Sequence, residues 1–137
     1  MAKEVIENRS GKFCLGDDGI IRVTAYPTAG RTPTDAEESL AAIAQLCQGQ
    51  AHPVLADIRN SQAPTSREER QTYVRSETAR RIIALALVVE SPLSRIIASF
   101  FLGISKLPCP TQVFTSEEKA IHWLRGFVED NSGSKEL

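Results

Sequence analysis

The octapeptide IIALALVV, Ile82–Val89, is an unbroken apolar run bounded by Arg80-Arg81 on one side and Glu90-Ser91-Pro92 on the other. Its length and branched side chains suit a strand covered on both faces. Such a strand needs a layer on either side, so the run calls for a sheet between helices. Apolar character continues to Ile104, and residues 82–104 together have the length of a bilayer span. Glu90, Pro92 and Arg95 interrupt that stretch near its middle, where charge is costly in lipid. The expectation is a soluble domain with no transmembrane segment. It places a strand over Ile82–Val89, a turn at Glu90-Ser91-Pro92, and a helix opening at Pro92. Ile96, Ile97, Phe100, Phe101 and Ile104 form that helix's inward face.

The remaining segments supply partners for that strand. Phe13–Tyr26 reads as a hairpin, with FCL and IIRVTAY flanking a turn at GDDG, where Asp18-Gly19 suits a tight reversal. Pro27 and Pro33 end the second strand. A helix then opens at Thr34, with Glu37 completing a capping box, and Ala36, Leu40, Ile43, Ala44 and Cys47 make its apolar stripe up to Gly49. PVLADI from Pro53 is a short buried strand, and Ser66–Arg81 is a charged helix capped by Ser66 with Glu69. The prolines around Cys109 force extended chain, TQVF is the last strand, and Thr115 or Ser116 caps a last helix. Ala120, Ile121, Leu124, Phe127 and Val128 are that helix's buried face. The order is an N-terminal β-hairpin followed by alternating α and β, hence a single α/β domain with a central, mostly parallel sheet and helices packed on it. The domain is expected over residues 12–130, with 1–11 and 131–137 as polar tails.

A chain of 137 residues with net charge −1 lacks the basic surplus of a nucleic-acid binder, and no nucleic-acid partner is expected. Three scattered cysteines (Cys14, Cys47, Cys109) and two separated histidines (His52, His122) offer neither a disulfide framework nor a metal set. No cofactor or metal is expected, and the cysteine usage points to a cytoplasmic setting. MAKEVIENRSGKF has no apolar core of a secretory signal. Cys14 and Cys47 are expected to be buried and inert, while Cys109, between prolines, is the thiol to test for reactivity.

Three patterns in this order carry a family likeness: PVLADIRN at Pro53–Asn60, ALALVVESPLSRIIASFFLG at Ala84–Gly103, and PTQVFTSEEKAIHWL at Pro110–Leu124. Together they resemble bacterial STAS-like families, which are related in fold to the anti-sigma-factor antagonists and to CRAL-TRIO lipid-binding domains. The resemblance covers roughly Lys12 to Phe127. In the anti-sigma-factor antagonists, a loop after the aspartate-bearing strand carries an Asp-Ser/Thr-Ser/Thr-Gly phosphorylation motif. Asp57 matches the strand-end aspartate by position, and Ala63–Ser66 falls near the phosphoacceptor; the motif's own aspartate and glycine are absent. The resemblance implies a non-enzymatic protein-interaction or regulatory module, of the kind found in sigma-factor pathways. Its CRAL-TRIO side implies an alternative, a domain that binds a lipid or small apolar ligand between the Pro92 helix and the sheet.

The residues themselves mark two candidate regions. Asp57, Asn60, Ser61, Thr65 and Ser66 lie at the carboxyl end of a strand, where open α/β sheets bind ligands. Thr65 and Ser66 suit a helix cap, and a phosphate there would also be favoured by the free N–H groups. Asp57 has no neighbouring histidine or second carboxylate to tune it as a catalytic acid, and no nucleophile–base pair is evident, so no enzyme is expected. The second region is the helix bearing Arg67, Arg70 and Tyr73. Between Leu55 and Arg81 six arginines face four acids, a local charge of +2 against −3 elsewhere. With a thin apolar stripe (Tyr73, Val74, Ala79) and Glu77–Arg81 as an i,i+4 pair, it reads as an exposed helix, a docking surface for a protein partner. A homodimer through a sheet edge or helix face is a further expectation.

Overall fold

The computed structural model describes residues 4–28, 30–60, 67–90 and 109–136. Among these, six strands form one sheet in the order β1-β2-β3-β4-β5-β6, so every strand lies beside its neighbour in the chain. The strands are β1 (Val5–Asn8), β2 (Gly11–Leu15), β3 (Ile21–Ala25), β4 (His52–Asp57), β5 (Ile82–Val88) and β6 (Thr111–Phe114). β1, β2 and β3 pair antiparallel, and β3 through β6 pair parallel. The expected α/β class, hairpin and mostly parallel sheet are all present.

Helix α1 (Pro33–Cys47) and α2 (Arg67–Arg75) pack against each other on one face, and α3 (Glu117–Glu136) packs on β4, β5 and β6. Crossovers between parallel strands are right-handed as a rule, and two that move the same way along a sheet carry their helices on one side. Alternation along the strands then divides the core. Phe13, Ile21 and Val54 pack with Ile43 and Leu46 of α1. Ile20, Leu55, Ala84, Ala86 and Val88 pack with Ala120 and Leu124 of α3. Fully burying one such leucine is worth roughly 1.5–3 kcal/mol. On β5 the side facing α3 is thus mostly alanine, which lets the helix approach closely, while Leu85, Leu87 and Val89 form the other side.

The β2–β3 turn has the expected chemistry. Gly19 adopts φ 82°, and Asp18 accepts from the Ile20 amide at 3.1 Å and from both Arg22 nitrogens at 2.9 and 2.8 Å. Arg22 chiefly, through that bidentate bond, holds the Asp18 carboxyl down at about 2.

Four local expectations are corrected. Residues 5–8 are an edge strand, not part of a tail: Asn8 accepts from the amides of Ser10 and Gly11 at 2.8 and 3.2 Å, reversing the chain so that Glu7 pairs opposite Lys12. The Tyr26 hydroxyl, donating to Glu7, ties this hairpin to the end of β3. Helix α1 begins at Pro33 with Thr32 and Asp35 as the capping box, rather than at Thr34 with Glu37, because the fixed φ of proline suits the first helical turn. The Ser66–Arg81 helix is two pieces: α2 ends at Arg75, and a 3₁₀ turn runs over Thr78–Arg81. Ser76 accepts from the Thr78 amide at 3.1 Å, a local bond that competes with helix continuation and takes Glu77 and Arg81 out of i,i+4 register. At the other end, α3 continues through 131–136, expected as tail, since extending an anchored helix adds a hydrogen bond per residue. The Pro92 helix, with Ile96, Ile97, Phe100, Phe101 and Ile104, lies outside the described residues.

Candidate functional site

At the carboxyl end of β4, the Asp57 carboxylate is engaged by its own loop. Oδ1 accepts from the Arg59 amide at 3.1 Å and from its Nε at 2.9 Å, and Oδ2 accepts from Nη2 at 2.7 Å. Burial pushes the Asp57 carboxyl up, but the bonds from the Arg59 guanidinium and amide outweigh it and hold the group below the ordinary carboxylate range. The same pairing raises Arg59, which also feels Glu117 at the start of α3 and Glu90 after β5. A carboxylate saturated by the residue two positions on stays ionised and shapes the turn; it is poorly placed to shuttle protons. Asn60 is exposed beside it. Ser61, Thr65 and Ser66 lie outside the described residues.

Asp57 alternates with Val54 and Ala56, and so stands on the α3 side of the sheet with Leu55. A pocket lies on the opposite side. It has a volume of about 170 Å³ and lies between β2–β5, α1 and α2. Its floor is apolar: Val23, Val54, Ala56, Ile58, Leu85 and Leu87. α1 contributes Ser39, Leu40 and Ile43, and α2 contributes Glu69 and Tyr73. Ser39 follows from helical spacing, lying on the same stripe as Ala36, Leu40 and Ile43.

Polar groups gather where α1 meets α2. Arg31 Nε donates to Glu69 Oε2 at 3.2 Å, with side-chain exposures of 12% and 4%. Beside this pair, burial pushes the Tyr73 phenol up, partly offset by Ser39. Tyr73 and Ser39 face each other, yet the buried Ser39 hydroxyl makes no hydrogen bond of ordinary length and angle. Asp35, one turn earlier, is buried and bonded to Arg9 at 3.3 Å and to the Thr32 amide at 2.7 Å. Cys109 closes another part of the wall; burial raises its thiol, which therefore stays protonated, and Thr111 lies 4.0 Å away. Burial likewise raises Cys47, while Cys14 is half-buried.

Of the two expected regions, α2 is divided by the structure. Arg67 and Glu68 are exposed, whereas Tyr73 lines the pocket and Glu69 is buried against Arg31. Arg31, Ser39 and Glu69 were not foreseen. The one available signal is Ser39, a hydroxyl within an otherwise apolar stripe; the sequence offers Glu69 only as a cap partner of Ser66. On the far side, Trp123 packs between Phe114 and Phe127, with ring centroids 5.6 and 4.8 Å away, and His122 is exposed. Among the described residues, no three His, Cys, Asp or Glu side chains are grouped to hold a metal, and no helix is long and apolar enough to cross a membrane.

Residues 13–128 match the family model described as Domain of unknown function (DUF7793). A crystal structure of a protein with unknown function from Arthrobacter sp. FB24 is 36% identical, with 87% of this chain and 95% of that one covered and a TM-score of 0.33. An uncharacterized protein from the DUF3478 family with a SpoIIAA-like fold, from Shewanella loihica PV-4, is 12% identical over 90% of this chain and 92% of that one, with a TM-score of 0.52. No match was found among curated proteins. A mostly parallel sheet with a leading antiparallel edge, helices on both faces and a family match over most of its length mark this chain as a member of the DUF7793 family with a SpoIIAA-like, that is STAS-like, fold.

Proposed function

We propose that this domain is a non-catalytic binding module whose pocket between the sheet, α1 and α2 takes up a small, mainly apolar molecule. The observation that carries this reading is the pocket itself. Side chains of four strands and two helices converge on about 170 Å³ of space that they leave unfilled. Well-packed interiors leave few voids larger than a water molecule, and a mainly apolar pocket with a few convergent polar groups is the usual form of a ligand site. The saturated Asp57 and the protonated Cys109 favour binding over catalysis.

Regulation through a protein partner remains the second reading, and the two-sided character of α2 favours it. Glu69 and Tyr73 point into the protein, while Arg67, Glu68, Gln71 and Arg75 are exposed. In this reading the cytoplasmic partner docks on the outer side of α2, and occupancy of the pocket is sensed from its inner side. Replacing Arg67 and Arg70 together by Glu then removes partner capture without unfolding the domain; unaltered capture counts against it.

Thermal denaturation with toluene, phenol or 1-hexanol tests the pocket. A ligand at ten times its Kd stabilises by about 1.4 kcal/mol and raises the midpoint by roughly 3–5 °C. A midpoint that none of the three compounds moves, together with an empty mass in native mass spectrometry, refutes the reading.

A further inference from the structure

We infer that the pocket's ligand is an uncharged molecule about the size of a substituted benzene, carrying one hydrogen-bonding group that is read by the Ser39 hydroxyl. This rests on the pocket being a ligand site, and it adds the ligand's chemistry. Ser39 is only 3% exposed and lines the pocket, and its Oγ, which faces the Tyr73 phenol, makes no hydrogen bond of ordinary length and angle. A buried hydroxyl without a partner is destabilising. Ser39 also sits inside the fifteen-residue helix α1, where alanine would be the better helix former. A guest that completes its hydrogen bond gives serine a reason at this position.

Charge and size narrow the guest. Near Ser39 the ionised groups are already matched, Arg31 with Glu69 at 3.2 Å and Asp35 with Arg9 at 3.3 Å. A charged ligand would bring an uncompensated charge against an apolar floor, which is costly. A pocket of about 170 Å³ is in the range that accepts a single aromatic ring; a 150 Å³ engineered cavity in another protein binds benzene.

The test compares p-cresol with p-xylene, two probes of nearly equal shape that differ by a hydroxyl in place of a methyl. Binding to the wild type and to Ser39→Ala is measured by calorimetry, with the thermal midpoint confirming that the variant is folded. The expected result is that Ser39→Ala loses about tenfold in affinity for p-cresol while p-xylene binding is unchanged or tighter. If both probes bind and Ser39→Ala leaves their affinity ratio unaltered, the assignment of Ser39 is overturned while the pocket reading stands. If neither probe binds the wild type, the hydroxyl is satisfied in solution by water alone, and both readings are overturned.

Discussion

Adding the same three carbon atoms to the two faces of the sheet should have opposite effects. Ala56 on β4 lines the pocket, with Val23 and Leu87 as its register partners on either side. Ala86, on β5, is fully buried among Ala84, Val88, Ala120 and Leu124 under α3. In Ala56→Leu the new carbons enter space that is already open. At about 0.8 kcal/mol per buried methylene the gross gain is roughly 2 kcal/mol, of which side-chain ordering leaves about 1 kcal/mol. In Ala86→Leu the carbons must displace α3 or strain its packing, which costs about 2–3 kcal/mol. The two variants should therefore differ by about 3–4 kcal/mol, or roughly 10–15 °C in midpoint for a chain of this length. Urea denaturation of both variants, with unchanged m-values as a check on the unfolded state, measures the difference directly. Ala56→Leu should also abolish p-xylene binding. Equal destabilisation by the two substitutions would refute the reasoning, because it would mean that the space beside Ala56 is as tightly filled as that beside Ala86.

Two further predictions follow from the β2–β3 hairpin. The Asp18 carboxyl is held at about 2 against 3.8 for the free group, so its stabilising contribution is complete above pH 3.8 and is lost as the pH falls toward 2. After allowance for solvent screening this is about 1 kcal/mol, and acid titration of stability should be correspondingly shallower in Asp18→Asn over pH 5 to 2. A Cβ at Gly11 would lie 2.4 Å from the Thr24 carbonyl oxygen, so Gly11→Ala should push β2 from β3 and lower stability by about 1–3 kcal/mol, read as a drop in the urea midpoint with a loss of hydrogen-exchange protection along β2.

Features set by a single segment were legible in the sequence; those set by a meeting of segments were much less so. The dry octapeptide at β5, the Asp18-Gly19 turn and the stripes of α1 and α3 each carry their signal within a few residues. β1 does not, because VIEN holds only two apolar residues and owes its place to the Asn8 turn and to the waiting edge of β2. Pro33 looks like a strand breaker until the helix it starts is seen, and Ser76 breaks α2 by a bond that propensity does not register. The same limit applies at the candidate site. Asp57 stood out as a strand-end carboxylate, but its partner, Arg59, is only two residues away, and the pair closes on itself. The pocket depends on how far α1 and α2 stand from β4 and β5, a distance no local pattern encodes.

The sequential strand order has a consequence for how the molecule comes into being on the ribosome. Each strand, as it emerges, finds its partner already laid down, and the sheet can grow one strand at a time from β1 toward β6 without threading a later segment between earlier ones. The cost of that convenience is borne at the end. Leu55, Ala84, Ala86 and Val88 are all in place before the α3 residues that cover them have been synthesised. A nascent chain halted before Glu117 would thus present one bare oily side, which α3 then covers.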